Sequence, residues 1–294
     1  MPLRFDDIGN RLKAFRLGSG LSAEEIAQKL GISRTALYRF EKGEVAKIET
    51  LENLAELLKV SVPTLLGVGV EYIASAVSYF ERMRQIEESA EHIIVLAGPI
   101  SYVLASDAFD AALGDVLRES IPENDKSERA LAQIDELMAV LRERRQTYRR
   151  RQPAVVNLIS AAEMERFLRN GLVGRLDLAD KLRRERRALA RAEAEHFTAL
   201  MENEPIGVQI GIVLDTLPHT SFQIFRQPDR QILALSPFRL GEEPNIRVGV
   251  AMITSAPEAL ALHEKMAREL WTGALKGPAA VRFMHAMMEK HTAV

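Results

Sequence analysis

Residues 21–43 read LSAEEIAQKLGISRTALYRFEKG, and this stretch decides how the first part of the chain folds. Ser22 stands three residues before Glu25, the spacing of a capping box in which the two side chains satisfy free amides at a helix start. That predicts a helix over residues 23–30. Gly31 follows at the C-terminal cap, where a left-handed backbone suits glycine, and Ser33 caps a second helix that runs through Glu41 to Gly43. The turn between the two is very short.

Outward from this pair, residues 5–17 form an amphipathic helix ended by Gly18-Ser19-Gly20, and residues 48–58 and 61–66 read as two more. Ile8, Leu12, Leu21, Ile26, Leu30, Ile32, Leu37, Phe40, Leu51, Leu54, Leu58 and Leu65 then supply one small core for a five-helix domain over 1–69. Gly67 and Gly69 mark a hinge. Beyond it Ile73, Val77, Phe80, Met83 and Ile86 recur at helical spacing, which predicts a linker helix over 70–90. From residue 91 to 294 the texture changes, with strand-length apolar runs at 92–97, 154–159, 208–214, 222–225, 231–235 and 248–253 alternating with helical patterns. A hairpin is expected at Gln227-Pro228-Asp229. The fold class is therefore α+β overall, an all-α N-terminal domain joined by a helix to a C-terminal mixed α/β domain.

The chain has 294 residues, 47% of them hydrophobic, no cysteine and a formal net charge of −2. Disulfides, thiolate metal sites and cysteine nucleophiles are excluded, and a reducing compartment, the cytoplasm, is expected. A membrane span and an export signal are not expected, because the sequence has no apolar run of spanning length and no basic-then-apolar start. The charge excludes binding to nucleic acid through bulk positive charge, so any such contact must be local.

The 21–43 stretch resembles the helix-turn-helix of phage-repressor-like, or Xre, transcription regulators. Ala27 falls where two helices must touch, Gly31 at the turn, Ser33 at the cap and Leu37 inward, and the likeness covers about a fifth of the chain. It implies that the second helix enters the major groove of double-stranded DNA, where each base pair shows a distinct donor and acceptor pattern. The positions facing bases fall on Arg34, Thr35, Tyr38 and Arg39, and those facing phosphate on Ser22 and Lys42. Arg16 and Glu41 match places where the family sets an ion pair between the first and third helices. Two departures weaken the likeness: Ala23 stands where the family commonly has glutamine, and Glu49 where basic residues are common.

One short helix reads few base pairs, so a homodimer on a palindromic operator is expected, with Ile73, Val77, Phe80 and Met83 either forming the dimer stripe or packing within their own chain. The arginine run ending in Arg149, Arg150 and Arg151 has three readings: a solvated helix end, a binding edge for a small anionic effector, or a second contact with DNA phosphate. No enzyme is expected. His263-Glu264-Lys265 begins like the HxKxxxxD signature of phospholipase D enzymes, yet Leu270 occupies the aspartate position, and Ala267 breaks HExxH. No GxxxxGK[ST] occurs, and neither a cofactor nor a metal site is indicated. The competing readings are an enzyme that its helix-turn-helix merely tethers to DNA, and an antitoxin or partner-binding adaptor.

Overall fold

The structure, a computed structural model, describes residues 4–44, 47–125, 127–215 and 220–291. Five helices come first: α1 (Phe5–Ser19), α2 (Ala23–Leu30), α3 (Arg34–Glu41), α4 (Ile48–Leu58) and α5 (Val62–Leu66). Serine side chains cap α2, α3 and α5, each accepting from an amide in the first turn, and the reciprocal Ser22–Glu25 box is complete.

The rest is built on one seven-stranded sheet: β1 (Val70–Ile73), β2 (His92–Leu96), β3 (Ala154–Ser160), β4 (Val208–Val213), β5 (Ser221–Arg226), β6 (Gln231–Ser236) and β7 (Ala251–Thr254), in spatial order β1-β7-β6-β5-β2-β3-β4. Strands β2, β3 and β4 run parallel, and the remaining pairings are antiparallel, including the β5–β6 hairpin turned at 227–230. The helices between them are α6 (Ala76–Glu87), α7 (Asp107–Glu119), α8 (Glu128–Arg151), α9 (Ala161–Asn170), α10 (Asp180–Asn203), α11 (Pro257–Gly273) and α12 (Gly277–Lys290).

Alternation along the strands assigns the two faces. Ile93, Val95, Val155, Ile210, Ile212, Phe225, Ala234 and Ile253 join the core that α6, α8 and α10 complete. Their neighbours Leu96, Leu158, Val213, Phe222, Ile224 and Leu233 point the other way and are covered by Leu260 and Ala267 of α11. Among the described residues no helix is long and apolar enough to cross a membrane.

Two expectations are corrected. The linker is not one helix from residue 70: Gly67 closes α5 in the left-handed region and residues 70–73 pair at once with β7, Val70 opposite Thr254 and Ile73 opposite Ala251. The N-terminal core is continuous with that of the sheet, because Leu12 and Phe15 of α1 belong to the same cluster as Val77 and Met83 of α6. The 73–83 stripe is likewise no dimer surface. Ile73, Val77, Phe80 and Met83 are each 5% exposed or less, packed inside their own chain where α6 lies between α1 and α8.

Candidate nucleic-acid interface

Helix α3 is short, and its pattern divides it. Leu37 is fully buried, while Arg34, Thr35, Tyr38 and Arg39 are exposed along the outer face and Lys42 is exposed at the C-terminal cap. The inner side rests on α2 and α1. Gly31 takes φ of +64°, the left-handed conformation that lets the chain turn from α2 into α3 within three residues. Gly9 of α1 lies against the end of α3, where a Cβ would come within 2.5 Å of the Glu41 carbonyl oxygen. Only glycine permits that approach.

A bidentate ion pair fastens the same two helices. Arg16 Nε and Nη2 donate to Glu41 Oε1 and Oε2 at 2.5 and 3.1 Å, and their side chains are 12% and 6% exposed. Burial works to lower the Arg16 ionisation, but the Glu41 carboxylate outweighs it and raises it above the usual range. Two guanidinium groups approach the Tyr38 ring, with the Arg16 and Arg34 carbons each 5.9 Å from its centroid. Helix α3 is thus held to α1 by side chains as well as by backbone.

Carboxylates that the sequence pattern did not single out also occupy the face. Glu44 accepts from Arg39 Nε at 2.7 Å and pairs with its Nη2 at 2.5 Å. Glu24 lies 3.4 Å from Arg34 Nη1. Ser22 caps α2 as expected of its spacing, and Glu25 Oε2 accepts from both the Ser22 amide at 2.7 Å and its hydroxyl at 2.8 Å, so a carboxylate sits directly on the residue that the resemblance assigns to phosphate. Helical periodicity could not reveal Glu44, which lies five residues from Arg39 beyond the helix end.

The other singled-out arginines lie elsewhere. Arg149, Arg150 and Arg151 are exposed at the C-terminal end of α8, with Arg149 bonded to Asp107 at 2.5 Å and Arg150 lying 3.7 Å from Glu88. Among the described residues, none of the three lines the 330 Å³ cavity where α1 meets the sheet. Within the same run Arg144 and Arg145 are buried, which the reading of a solvated helix end did not anticipate. Arg144 makes a bidentate pair with Glu87 at 2.7 and 2.6 Å, and Arg145 donates to the Ala105 carbonyl at 2.5 Å.

Residues 12–65 match the family described as Helix-turn-helix, so the N-terminal region is a helix-turn-helix. Comparison with curated proteins gives no match. Among solved structures, TrmBL2, an archaeal chromatin protein with a novel mode of DNA binding, is 12% identical with a TM-score of 0.30. The match covers 78% of this chain and 60% of that one, less than two thirds of its length, and so loose a likeness carries no argument.

Proposed function

We propose that the protein is a sequence-specific transcription regulator of the cytoplasm, a repressor that binds a palindromic DNA operator as a homodimer. The observation that carries the reading is the outer face of α3, where Arg34, Thr35, Tyr38 and Arg39 stand exposed in a helix-turn-helix whose inner face is fixed to α1. Arginine donates two bonds to guanine O6 and N7, so guanine-containing half-sites are expected. Dimerisation rests on the same arithmetic of a short helix, and its surface must lie outside the buried 73–83 stripe. Repression is favoured because a bound dimer blocks polymerase with no further partner. The protein is not proposed to be an enzyme, and control by a small anionic ligand completes the reading.

The test is selection of bound sequences from a random duplex pool, followed by gel-shift titration. Arg39→Ala is expected to lower affinity for the selected site by about tenfold or more and to relax base preference at one position. Lys42→Ala should weaken specific and random duplexes alike and lower the salt slope by about one unit. Failure of the full chain to select any sequence would overturn the proposal.

A further inference from the structure

The seam between the helix-turn-helix and the sheet encloses a cavity of about 330 Å³. Asp7 and Arg11 line it from α1, Arg4 from the residue capping that helix, Glu71 from β1, Arg82 from α6 and Arg230 from the β5–β6 turn. Leu66, Ile232 and Ile253 supply apolar wall. Four guanidinium groups thus meet two carboxylates in one space, and Asp229, beside Arg230 in the turn, accepts from Arg4 at 2.7 Å.

Each carboxylate is already engaged. Glu71 accepts from Arg11 at 2.6 Å and from Arg82 at 3.0 Å, and Asp7 accepts from Arg230 at 2.5 and 3.1 Å. Glu71 therefore serves two cations, and the cluster holds one guanidinium more than its carboxylates neutralise, counting Asp229. Burial pulls the Arg11 ionisation below the usual arginine range, Arg82 adds to the pull, and Glu71 only partly offsets them. Buried guanidinium in excess of its counter-charges favours an incoming anion, and the planar fork suits carboxylate or phosphate.

We infer that this seam cavity is a binding site for a small polyanionic metabolite, a di- or tricarboxylate or a phosphorylated compound, that controls the helix-turn-helix. The inference rests on the regulator reading above and adds the site of its ligand. An anion bridging Arg230 and Arg11 competes with Asp7 and Glu71, the carboxylates that tie α1 to the hairpin turn and to β1. Since α1 is fastened to α3 through Arg16–Glu41 and Gly9, a shift of α1 carries the recognition face with it. Control requires that the ligand bind the two arrangements with different affinity. The volume suffices for a compound of citrate size.

The experiment is calorimetric titration of the full chain with citrate, succinate, orthophosphate and pyrophosphate, each repeated in the gel shift on the selected operator. Saturable binding of at least one probe is expected, weakened about tenfold or more in Arg230→Ala, less in Arg230→Lys, and unchanged in Arg149→Ala. The carboxylate and phosphate probes distinguish the two sources of the anion. Absence of saturable binding by all four, or binding untouched in both Arg230 variants, overturns the inference. An Arg230→Ala protein that loses DNA affinity while its probe binding stays intact also overturns it, because the cluster then contacts DNA. A probe that binds at Arg230 without moving the gel shift overturns the control and leaves the site. Should the wild type bind a probe and no DNA, the regulator reading fails instead. Thermal melting of each variant confirms the fold; were Arg230→Ala unfolded, the exposed Arg4→Ala replaces it.

Discussion

Helices α3 and α6 are both short, amphipathic and rich in arginine and glutamate, and they end in opposite surroundings. In α3 only Leu37 is fully buried, and its two arginines stand in solvent against exposed glutamates. In α6 every residue but Arg84 is buried, because α1, α8 and β1 surround it. Its charges are consumed internally: Arg82 on Glu71, Glu81 on Arg84 and Lys13, and Glu87 on Arg144. The exposed pairs of α3 can be exchanged for phosphate and base edges at small cost, whereas breaking one in α6 leaves a charge without water. One helix keeps its charges exposed and exchangeable, and the other uses them to hold the chain together.

The largest effect that would break this contrast is expected at Glu87. Glu87→Ala strands the Arg144 guanidinium, which also faces the Phe80 ring at 5.8 Å, and should cost about 3–5 kcal/mol in urea unfolding. A loss below 1 kcal/mol would mean that the α6 charges are as replaceable as those of α3. Glu87→Leu with Arg144→Met should recover most of the stability, since an apolar pair of similar volume removes the stranded charge.

Acid sharpens the comparison next. Burial works to raise Glu71, Asp7 and Glu81, but the arginines facing them outweigh it and hold all three below the usual carboxylate range. A folded-state value below the unfolded one stabilises above the unfolded pKa of about 4 and is lost as pH falls through the folded value. Stability should therefore hold through neutral pH and fall steeply below about pH 4. Glu71→Gln should be less stable at pH 7 and show a shallower acid limb. An unchanged limb would remove Glu71 from the seam's energetics.

What the sequence made legible follows from the range of the interactions involved. Helix ends were readable because Ser22, Ser33 and Gly31 act within one turn, and α2 and α4 match their expected spans. The hairpin at 227–230 was readable for the same reason. Strand β1 was not, since Ile73 continues the helical spacing of Val77 and Phe80 and only β7, late in the chain, makes residues 70–73 a strand. At the 248–253 run the opposite happened: Val248 and Val250 remain 73% and 53% exposed and the strand begins at Ala251. The outward set Arg34, Thr35, Tyr38 and Arg39 was legible from period and resemblance. Buried Arg11, Arg82 and Arg144 were not, because their partners Glu71 and Glu87 are fixed by tertiary packing, and a charged residue reads by default as solvated.

A smaller effect is expected where the two regions meet, at the largely buried Arg16–Glu41 pair. Arg16→Ala should lower stability by about 1–3 kcal/mol and weaken operator binding beyond what the residual folded fraction explains, since α3 loses its side-chain brace. If calorimetric stability falls while affinity per folded molecule is unchanged, the pair supports the fold without orienting the reading face.

The smallest effect is expected on α3 itself, and its sign is the informative part. Two of the three Arg39 guanidinium nitrogens, Nε and Nη2, are held by Glu44 at 2.7 and 2.5 Å, so a two-bonded contact with a base competes with the carboxylate. Glu44 is stabilised as a carboxylate by that same hydrogen bond, so it stays charged across the neutral range and repels phosphate beside the residue that must approach it. Glu44→Gln loosens the hold on the guanidinium and removes a negative charge from the exposed side of α3. Because an exposed pair contributes little to the fold, melting should be unchanged and operator affinity should rise, by up to about fivefold at low salt. The gain should shrink as salt is raised, since the repulsion removed is screened over a Debye length of about 8 Å at physiological ionic strength. Gel-shift titrations of both proteins at two salt concentrations decide it. Weaker binding by Glu44→Gln would reverse the argument, showing that the carboxylate aims Arg39 at its base, and the pairs on α3 would then resemble those of α6 in function as well as in composition.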